Sequence, residues 1–388
     1  MIPYGRQEII NEDIEEVKKV LKSDFLTQGP IVPKFEKSVA NYCNASYGVA
    51  MNSATSALHI ACLALGLSSG DWLWTSPNTF VASANCGLYC GANIDFVDIN
   101  PKTYNMNVDE LAKKLEIAKE KNRLPKIVIP VHFAGQPCDM QAIHDLSLSY
   151  NFKIIEDASH AIGASYNQTK IGSCSYSDIT VFSFHPVKII TTGEGGMALT
   201  NDKKLAERLR QLSAHGITRD KSSMSIRPIN EIWNYQQTQL GFNYRLNEIQ
   251  AALGLSQMKR LDKYVSRRQE IAKYYDSQFF DLPLVTPWQL PQAFSSYHLY
   301  PICIKESKNQ NLQKQIYDIL HKNGIAANLH YIPVHRHPYF ESLGFKEGDF
   351  KESEKFHKKV ISLPMFPLLK DSECKKVVKV MTKIFKNN

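Results

Sequence analysis

The stretch FSFHPVKIITTGEGGMALT, residues Phe182 to Thr200, decides how the rest of the chain is read. An apolar run reaches Phe184 and is ended by Pro186, whose ring fixes the backbone and removes a ladder donor. Lys188 follows, then threonines and glycines, then a second apolar run at Met197–Thr200. Most lysines occupy solvated helix faces; this one follows a strand that reads as buried. The connection is too short for the crossover helix that parallel neighbours need, so the second strand is expected to run antiparallel. Upstream the rhythm is different. Candidate strands at Gly48–Met51, Trp72–Thr75, Ile94–Asp98, Ile127–His132, Lys153–Asp157 and Ile179–Phe184 are separated by helical patterns at Ala54–Leu65, Thr79–Tyr89, Val108–Ala118 and Met140–Tyr150. That alternation argues for an α/β fold: a mostly parallel seven-stranded sheet between helices.

Beyond Asn247 the chain turns helical, with one long amphipathic segment running to Phe279. Strands are expected near His298–Ile304 and Ala326–His330, and helices near Gln313–Lys322 and Asp371–Phe385. These form a smaller C-terminal α+β domain. The boundary is placed in the long helix, giving domains 1–259 and 260–388. A polar loop spans 217–234, and an N-terminal helix begins at Glu12.

The 388 residues, 43% of them hydrophobic, suffice for two well-cored domains. A net charge of +8, from 46 basic and 38 acidic residues, is spread along the chain apart from lysines near the C-terminus such as Lys375, Lys376 and Lys386. It suits an anionic small molecule, whereas nucleic acid demands a denser basic stripe. The eight cysteines form no CxxC pair, which points to reduced thiols and a cytoplasmic protein. No apolar run approaches membrane-spanning length.

In an open parallel sheet, ligands bind beyond the carboxyl ends of the strands, and three clusters fall there. Asn52-Ser53-Ala54-Thr55-Ser56 opens the first crossover helix: an ordinary N-cap, or a phosphate site at a helix N-terminus. Glu156-Asp157-Ala158-Ser159-His160 ends the fifth strand, where a carboxylate either caps a helix or serves a ligand. Lys188 is either a snorkelling surface residue or a reactive amine. Taken together, a phosphate cradle, an anion and an amine on one rim suit pyridoxal phosphate, whose phosphate, ring nitrogen and aldehyde need these three partners. No GxGxxG dinucleotide fingerprint is present. The histidines at 330, 335 and 337 lack a cysteine or carboxylate set at ligand spacing, so no metal is expected.

The runs GVAMNSATSALHIACLALG, TSPNTFVASANCGLYCGANIDFVDI, IEDASHAIGASY, FSFHPVKIITTGEGGMALTND and GFNYRLNEIQAALGLSQ resemble the DegT/DnrJ/EryC1/StrS sugar aminotransferases over nearly the whole chain. The resemblance implies a fold type I pyridoxal-phosphate-dependent transferase. It implies that Lys188 binds the cofactor aldehyde and later shuttles a proton, and that Asp157 pairs with the ring nitrogen. Thr55, Ser56 and Ser183 would hold the phosphate, Phe80 would stack on the ring, and His160 would lie near its phenolic oxygen. Asn243 and Arg245 would reach into a neighbouring subunit's site, which makes a homodimer with shared sites the competent unit. Tyr4, Asp24, Phe25, Leu26, Thr27, His330 and Tyr331 resemble nucleotide-sugar contacts, as do Ser56, Asn243 and Arg245.

Within the family, NSATSALH, SFHPVK, HLYPI and LHYIP are most similar to the branch that aminates a UDP-linked 4-keto-6-deoxy-N-acetyl sugar with L-glutamate. That branch serves pseudaminic acid biosynthesis and flagellin glycosylation. The alternatives are UDP-4-keto-arabinose, the D-configured bacillosamine precursor, or a non-catalytic regulator. A 3-dehydratase on this scaffold would carry a histidine in place of Lys188.

Overall fold

The hairpin at the end of the strand–helix alternation is present, and it reverses the sheet. The computed structural model describes residues 1–225, 231–305 and 309–386. Strands β1 (Tyr47–Met51), β2 (Trp72–Thr75), β3 (Asn93–Phe96), β4 (Ile127–Ile129), β5 (Lys153–Asp157), β6 (Ile179–Ser183) and β7 (Gly196–Thr200) form one sheet in the order β1-β7-β6-β5-β4-β2-β3. The pairs from β3 across to β6 are parallel. Strand β7 alone is antiparallel to both its neighbours, with Gly196 opposite Ser183 on one side and Met51 on the other.

The turn explains the threonines. Phe184 O accepts from Thr192 N–H at 3.0 Å and from Thr191 Oγ1 at 2.9 Å, and Thr192 Oγ1 donates to Glu194 O at 2.6 Å. Gly193, with φ of 81°, takes the left-handed conformation that the reversal needs. Side chains that alternate along these strands supply two cores, one on each face. Phe182, Met197 and Leu199 join one cluster, while Val181 and Ala198 join the other. Both faces are covered, so the strands read as nearly unbroken apolar runs.

Helices α1 (Asn11–Leu21), α2 (Ile31–Cys43), α3 (Ala54–Ala64), α4 (Ala82–Tyr89), α5 (Val108–Glu120), α6 (Met140–Tyr150) and α7 (Lys203–Ser213) flank this sheet or connect to it. Of these, α2 and α7 are additions to the expected set. Helix α4 starts at Ala82 rather than Thr79. The long helical segment is two helices, α8 (Glu248–Met258) and α9 (Leu261–Phe279), broken at Lys259-Arg260. At the break Arg260 forks onto Asp13 at 2.7 and 2.8 Å, which ties α1 to this corner. Glu248, the first residue of α8, accepts from the N–H groups of Ile31 and Val32 and so caps α2.

A third core surrounds a three-stranded antiparallel sheet of β8 (Leu284–Val285), β9 (Tyr300–Ile304) and β10 (Val360–Leu363). Helices α10 (Leu312–Lys322) and α13 (Asp371–Lys386) pack into this core, while α11 (Pro338–Ser342) sends Phe340 into the core of the large sheet and α12 (Lys351–His357) sends Phe356 into a smaller cluster with Phe133 and Tyr104. Ile2 crosses over to join its core and bridges Ile325. The strand expected at Ala326–His330 is absent. Ile325 and Asn328 bridge separate partners, Ile2 and Ser362, so no continuous ladder forms. The polar stretch 217–234 opens on a two-residue strand, Ile217–Thr218, paired with Gln236–Gln237. Residues 226–230 of that stretch lie outside the described residues. Among the described residues no helix is long and apolar enough to cross a membrane.

Candidate active site

A cavity of about 860 Å³ opens beyond the carboxyl ends of β1, β4, β5 and β6. Its floor is set by the sheet. Asp157 is the last residue of β5 and Ser183 the last of β6; Asp157 registers with Val181, so β6 runs two residues farther, and both end residues line the cavity. Lys188 is brought over them by the turn that follows Pro186, with its N–H bonded to His185 O at 2.9 Å. The Lys188 side chain is half-buried, and what it is exposed to is the cavity. That enclosure pushes its amine down from 10.5 to about 8, while attraction to Asp157 opposes the fall.

The N-terminus of α3 forms one wall. Ser53 caps it by accepting from Ser56 N–H at 3.1 Å, and Ser53, Ala54 and Thr55 line the cavity. The first N–H groups of a helix have no intrahelical acceptor, and the helix dipole favours an anion there. Strand β7 presses against this terminus from behind: a Cβ on Gly196 would run into the backbone of Ser53 and Ala54. Ser56 differs from expectation in placement. Its hydroxyl is already given to Asn52 Oδ1 at 2.6 Å and does not line the cavity.

Asp157 is held by three donors: Ser83 Oγ at 2.6 Å on Oδ2, and Ser159 Oγ at 2.6 Å and Ser159 N–H at 3.1 Å on Oδ1. On the opposite side of β5, Glu156 turns into the protein. It accepts from Ser177 Oγ at 2.5 Å and Thr180 Oγ1 at 2.9 Å, and pairs with His132 Nε2 at 2.7 Å. Because His132 Nδ1 already accepts from Cys138 N–H, its other nitrogen is the donor to Glu156. Burial alone would raise Glu156, but these bonds hold it below its ordinary value.

A cluster of histidines and tyrosines lines the other wall. Burial first, then the nearby Lys188 charge, keep His160 well below its ordinary pKa, so it carries one ring proton. Ala134 N–H donates to its Nδ1 at 3.3 Å, which leaves Nε2–H to donate to Tyr331 Oη at 3.1 Å. The Tyr331 hydroxyl proton is then free to point elsewhere, and enclosure raises that phenol. His330 is lowered to about 3 by burial and Lys188, and both its nitrogens are engaged, with Asn328 at 3.3 Å and Ser362 at 2.9 Å. His335 is taken up separately by Glu354 at 2.9 Å.

Of the residues expected from sequence, Tyr4, Thr55, Phe80, Asp157, His160, Ser183, Lys188, His330 and Tyr331 line one cavity. Phe80 is 60% exposed and stands at its wall. Asp24, Phe25, Leu26 and Thr27 do not line it in this chain: they are exposed, and Leu26 O accepts from Glu248 N–H. Asn243 and Arg245 lie outside it too, bridged to Ala214 and Met51. Sequence reasoning placed Ser53 and Ser159 in candidate strand-end clusters without an individual role, and gave no role to Ser83 or His298. Ser159 and His298 sit inside the quoted runs DASH and HLYPI and carried that signal. Ser83 had none. His298 lines the cavity at 4% exposure, and its Nδ1 has no hydrogen-bond partner among the described residues.

These residues fit pyridoxal phosphate. An anion-seeking helix terminus flanked by hydroxyls, a buried carboxylate and an enclosed amine of lowered pKa surround one space of sufficient size.

A model of the DegT/DnrJ/EryC1/StrS aminotransferase family matches residues 7–382. The chain is 38% identical over 388 residues to the spore coat polysaccharide biosynthesis protein SpsC of Bacillus subtilis, covering 99% of this chain and 97% of that protein. It is 35% identical over 365 residues to the UDP-4-amino-4,6-dideoxy-N-acetyl-beta-L-altrosamine transaminase of Campylobacter jejuni, covering 94% and 92%. Among solved structures, Helicobacter pylori PseC, an aminotransferase involved in the biosynthesis of pseudoaminic acid, superposes with a TM-score of 0.91 at 32% identity, covering 100% of both chains.

Proposed function

This chain belongs to the DegT/DnrJ/EryC1/StrS aminotransferase family, and from that premise we propose its substrates. It is a pyridoxal-phosphate-dependent sugar aminotransferase. The amino donor is L-glutamate and the acceptor is carbon 4 of a UDP-linked 4-keto-6-deoxy-N-acetyl-hexosamine of the L-arabino series. The product is UDP-4-amino-4,6-dideoxy-N-acetyl-β-L-altrosamine, for pseudaminic acid synthesis. The observation that carries the site assignment is the meeting of Lys188 and Asp157 in one cavity, with the amine lowered to about 8.

Bound there, pyridoxal phosphate supplies a carbonyl to exchange amines and a ring that accepts electrons. Lys188 Nζ would hold the cofactor through its aldehyde, and its amine is the group placed to move a proton at the substrate carbon. An amine with a pKa near 8 has a usable unprotonated fraction at neutral pH while its acid form still donates. Asp157 would pair with the ring nitrogen. Thr55 and Ser183, together with Ser53 and the α3 terminus, hold the phosphate, with Ser56 acting behind Ser53. Phe80 would cover the ring face, and Tyr331, fixed by His160, would present its hydroxyl to the bound molecules.

Asn243, Arg245 and the segment Asp24–Thr27 serve a second subunit's cavity in a homodimer; their placement away from this chain's own cavity supports that arrangement. Residues 1–259 carry the cofactor site, and residues 260–388, with Tyr4, close over the sugar. The eight free cysteines support a reducing, cytoplasmic setting.

A second reading, a different nucleotide-linked 4-keto sugar, draws on the comparable identity to a spore coat polysaccharide protein. The test is direct: supply glutamate with both C5-epimeric UDP-4-keto-6-deoxy-N-acetyl sugars and with UDP-4-keto-arabinose, and identify products by NMR. Amination of the L-arabino ketone is expected. Exclusive amination of the D-configured ketone or the pentose would overturn the substrate assignment.

A further inference from the structure

Asp157 is gripped from two directions, and the two grips differ in kind. Ser159 lies two residues on, and an Asp-x-Ser sequence forms such contacts locally wherever it turns. Ser83 lies 74 positions away, in the first turn of α4, and is 1% exposed. Nothing local explains its bond to Oδ2.

The hydroxyl has one proton and three neighbours. These are Asp157 Oδ2 at 2.6 Å, Thr79 Oγ1 at 2.8 Å and Phe80 O at 3.4 Å. The short contact to the carboxylate takes the proton, because a carboxylate is the stronger acceptor. Thr79 must then donate its own hydroxyl proton to Ser83 Oγ. The order is fixed as Thr79 to Ser83 to Asp157, and each donation strengthens the next. Thr79, Phe80 and Ser83 occupy a single turn, so the residue at the cavity wall and the support of the carboxylate are set by the same piece of backbone.

We propose that Ser83, backed by Thr79, is a positioning residue that locks the Asp157 carboxylate in the orientation from which it meets the cofactor's ring nitrogen. The inference rests on the proposed role of Asp157. With Oδ1 and Oδ2 each tied, the side chain cannot turn about its last bond; Oδ1 already accepts two donors, while Oδ2 accepts one and keeps a lone pair for a further partner. Without Ser83 the carboxylate is free to swing toward Ser159.

The test uses the full chain as wild type, Ser83→Ala, Thr79→Val, Thr79→Ser and Asp157→Asn. Two quantities are read besides turnover: the dissociation constant for added pyridoxal phosphate, and the pH midpoint of the bound cofactor's visible absorbance. Thermal melting of the cofactor-free forms checks folding. Ser83→Ala should weaken cofactor binding about tenfold, at the low end for a hydrogen bond to a charged group, and move the midpoint in the same direction as Asp157→Asn. Thr79→Val should do the same to a smaller degree, and it carries the test if Ser83→Ala does not fold. Thr79→Ser, which keeps the hydroxyl, should restore wild-type values. If Asp157→Asn shifts both quantities while Ser83→Ala and Thr79→Val leave them at wild-type values, the inference is overturned and the role of Asp157 stands. If Asp157→Asn shifts neither, both fall.

Discussion

Replacing Lys188 by methionine in the cofactor-free protein should stabilise it, and by an amount that depends on pH. Enclosure in the cavity lowers the amine from 10.5 to about 8, after the attraction to Asp157 has offset part of the effect. A lysine whose folded pKa lies below its unfolded value opposes folding wherever it is protonated in the unfolded chain. The gap between 10.5 and about 8, at roughly 1.36 kcal/mol per pH unit, amounts to about 3 kcal/mol. Below about pH 8 that cost is present in full. Between about 8 and 10.5 the unfolded chain holds more protons than the folded one, so wild-type stability rises with pH. Above 10.5 neither state carries the proton and the cost is gone. Methionine removes the titration while filling similar space. The advantage of Lys188→Met should therefore be largest at neutral pH and shrink steadily over that window. Urea and thermal unfolding of both cofactor-free proteins, from about pH 6 to about pH 11, would measure it. A stability difference that does not change with pH, or that widens as pH rises, would refute the claim that this amine is enclosed.

Gly196→Ala should distort the α3 terminus, because the new methyl meets the backbone of Ser53 and Ala54 rather than a side chain that could yield. Overpacking of this kind costs about 1–3 kcal/mol; a lower melting temperature together with weaker cofactor retention is expected, and normal retention would argue against the cradle. His132→Ala leaves the buried Glu156 with Ser177 and Thr180 alone. Leaving a buried carboxylate short of one donor costs about 1–3 kcal/mol, to be read by chemical unfolding, and Glu156→Gln should lose less because an uncharged amide costs less to bury than a carboxylate short of a donor.

The fold was legible where chain-local physics fixes it. Strand-helix alternation gave the parallel sheet, and the short link between Phe184 and Gly196 gave the reversal of β7. That Lys188 and Asp157 would line one cavity was legible for the same reason: strand ends are visible in sequence, and a parallel sheet opens its clefts beyond them. The failures have a different cause. Ala326–His330 reads as a strand by composition, but whether a ladder forms depends on what lies beside it. Here Ile2 arrives from the far end of the chain, and Ser362 belongs to another strand. The break between α8 and α9 also owes its place to a distant residue, since Arg260 turns aside to reach Asp13.

Ser83 shows the limit most sharply. Its local reading, a small polar residue early in a helix, is complete and unremarkable, and a serine there needs no further explanation. Its partner is set by how α4 packs over β5, a distance of 74 positions that no periodicity spans. Hydroxyls that hold a carboxylate from another element carry no spacing signature, because a single proton and a short reach suffice once the backbones are in place. The groups that perform chemistry at a strand end can be read from the strand; those that aim them belong to the packing, and only the folded chain brings them into view.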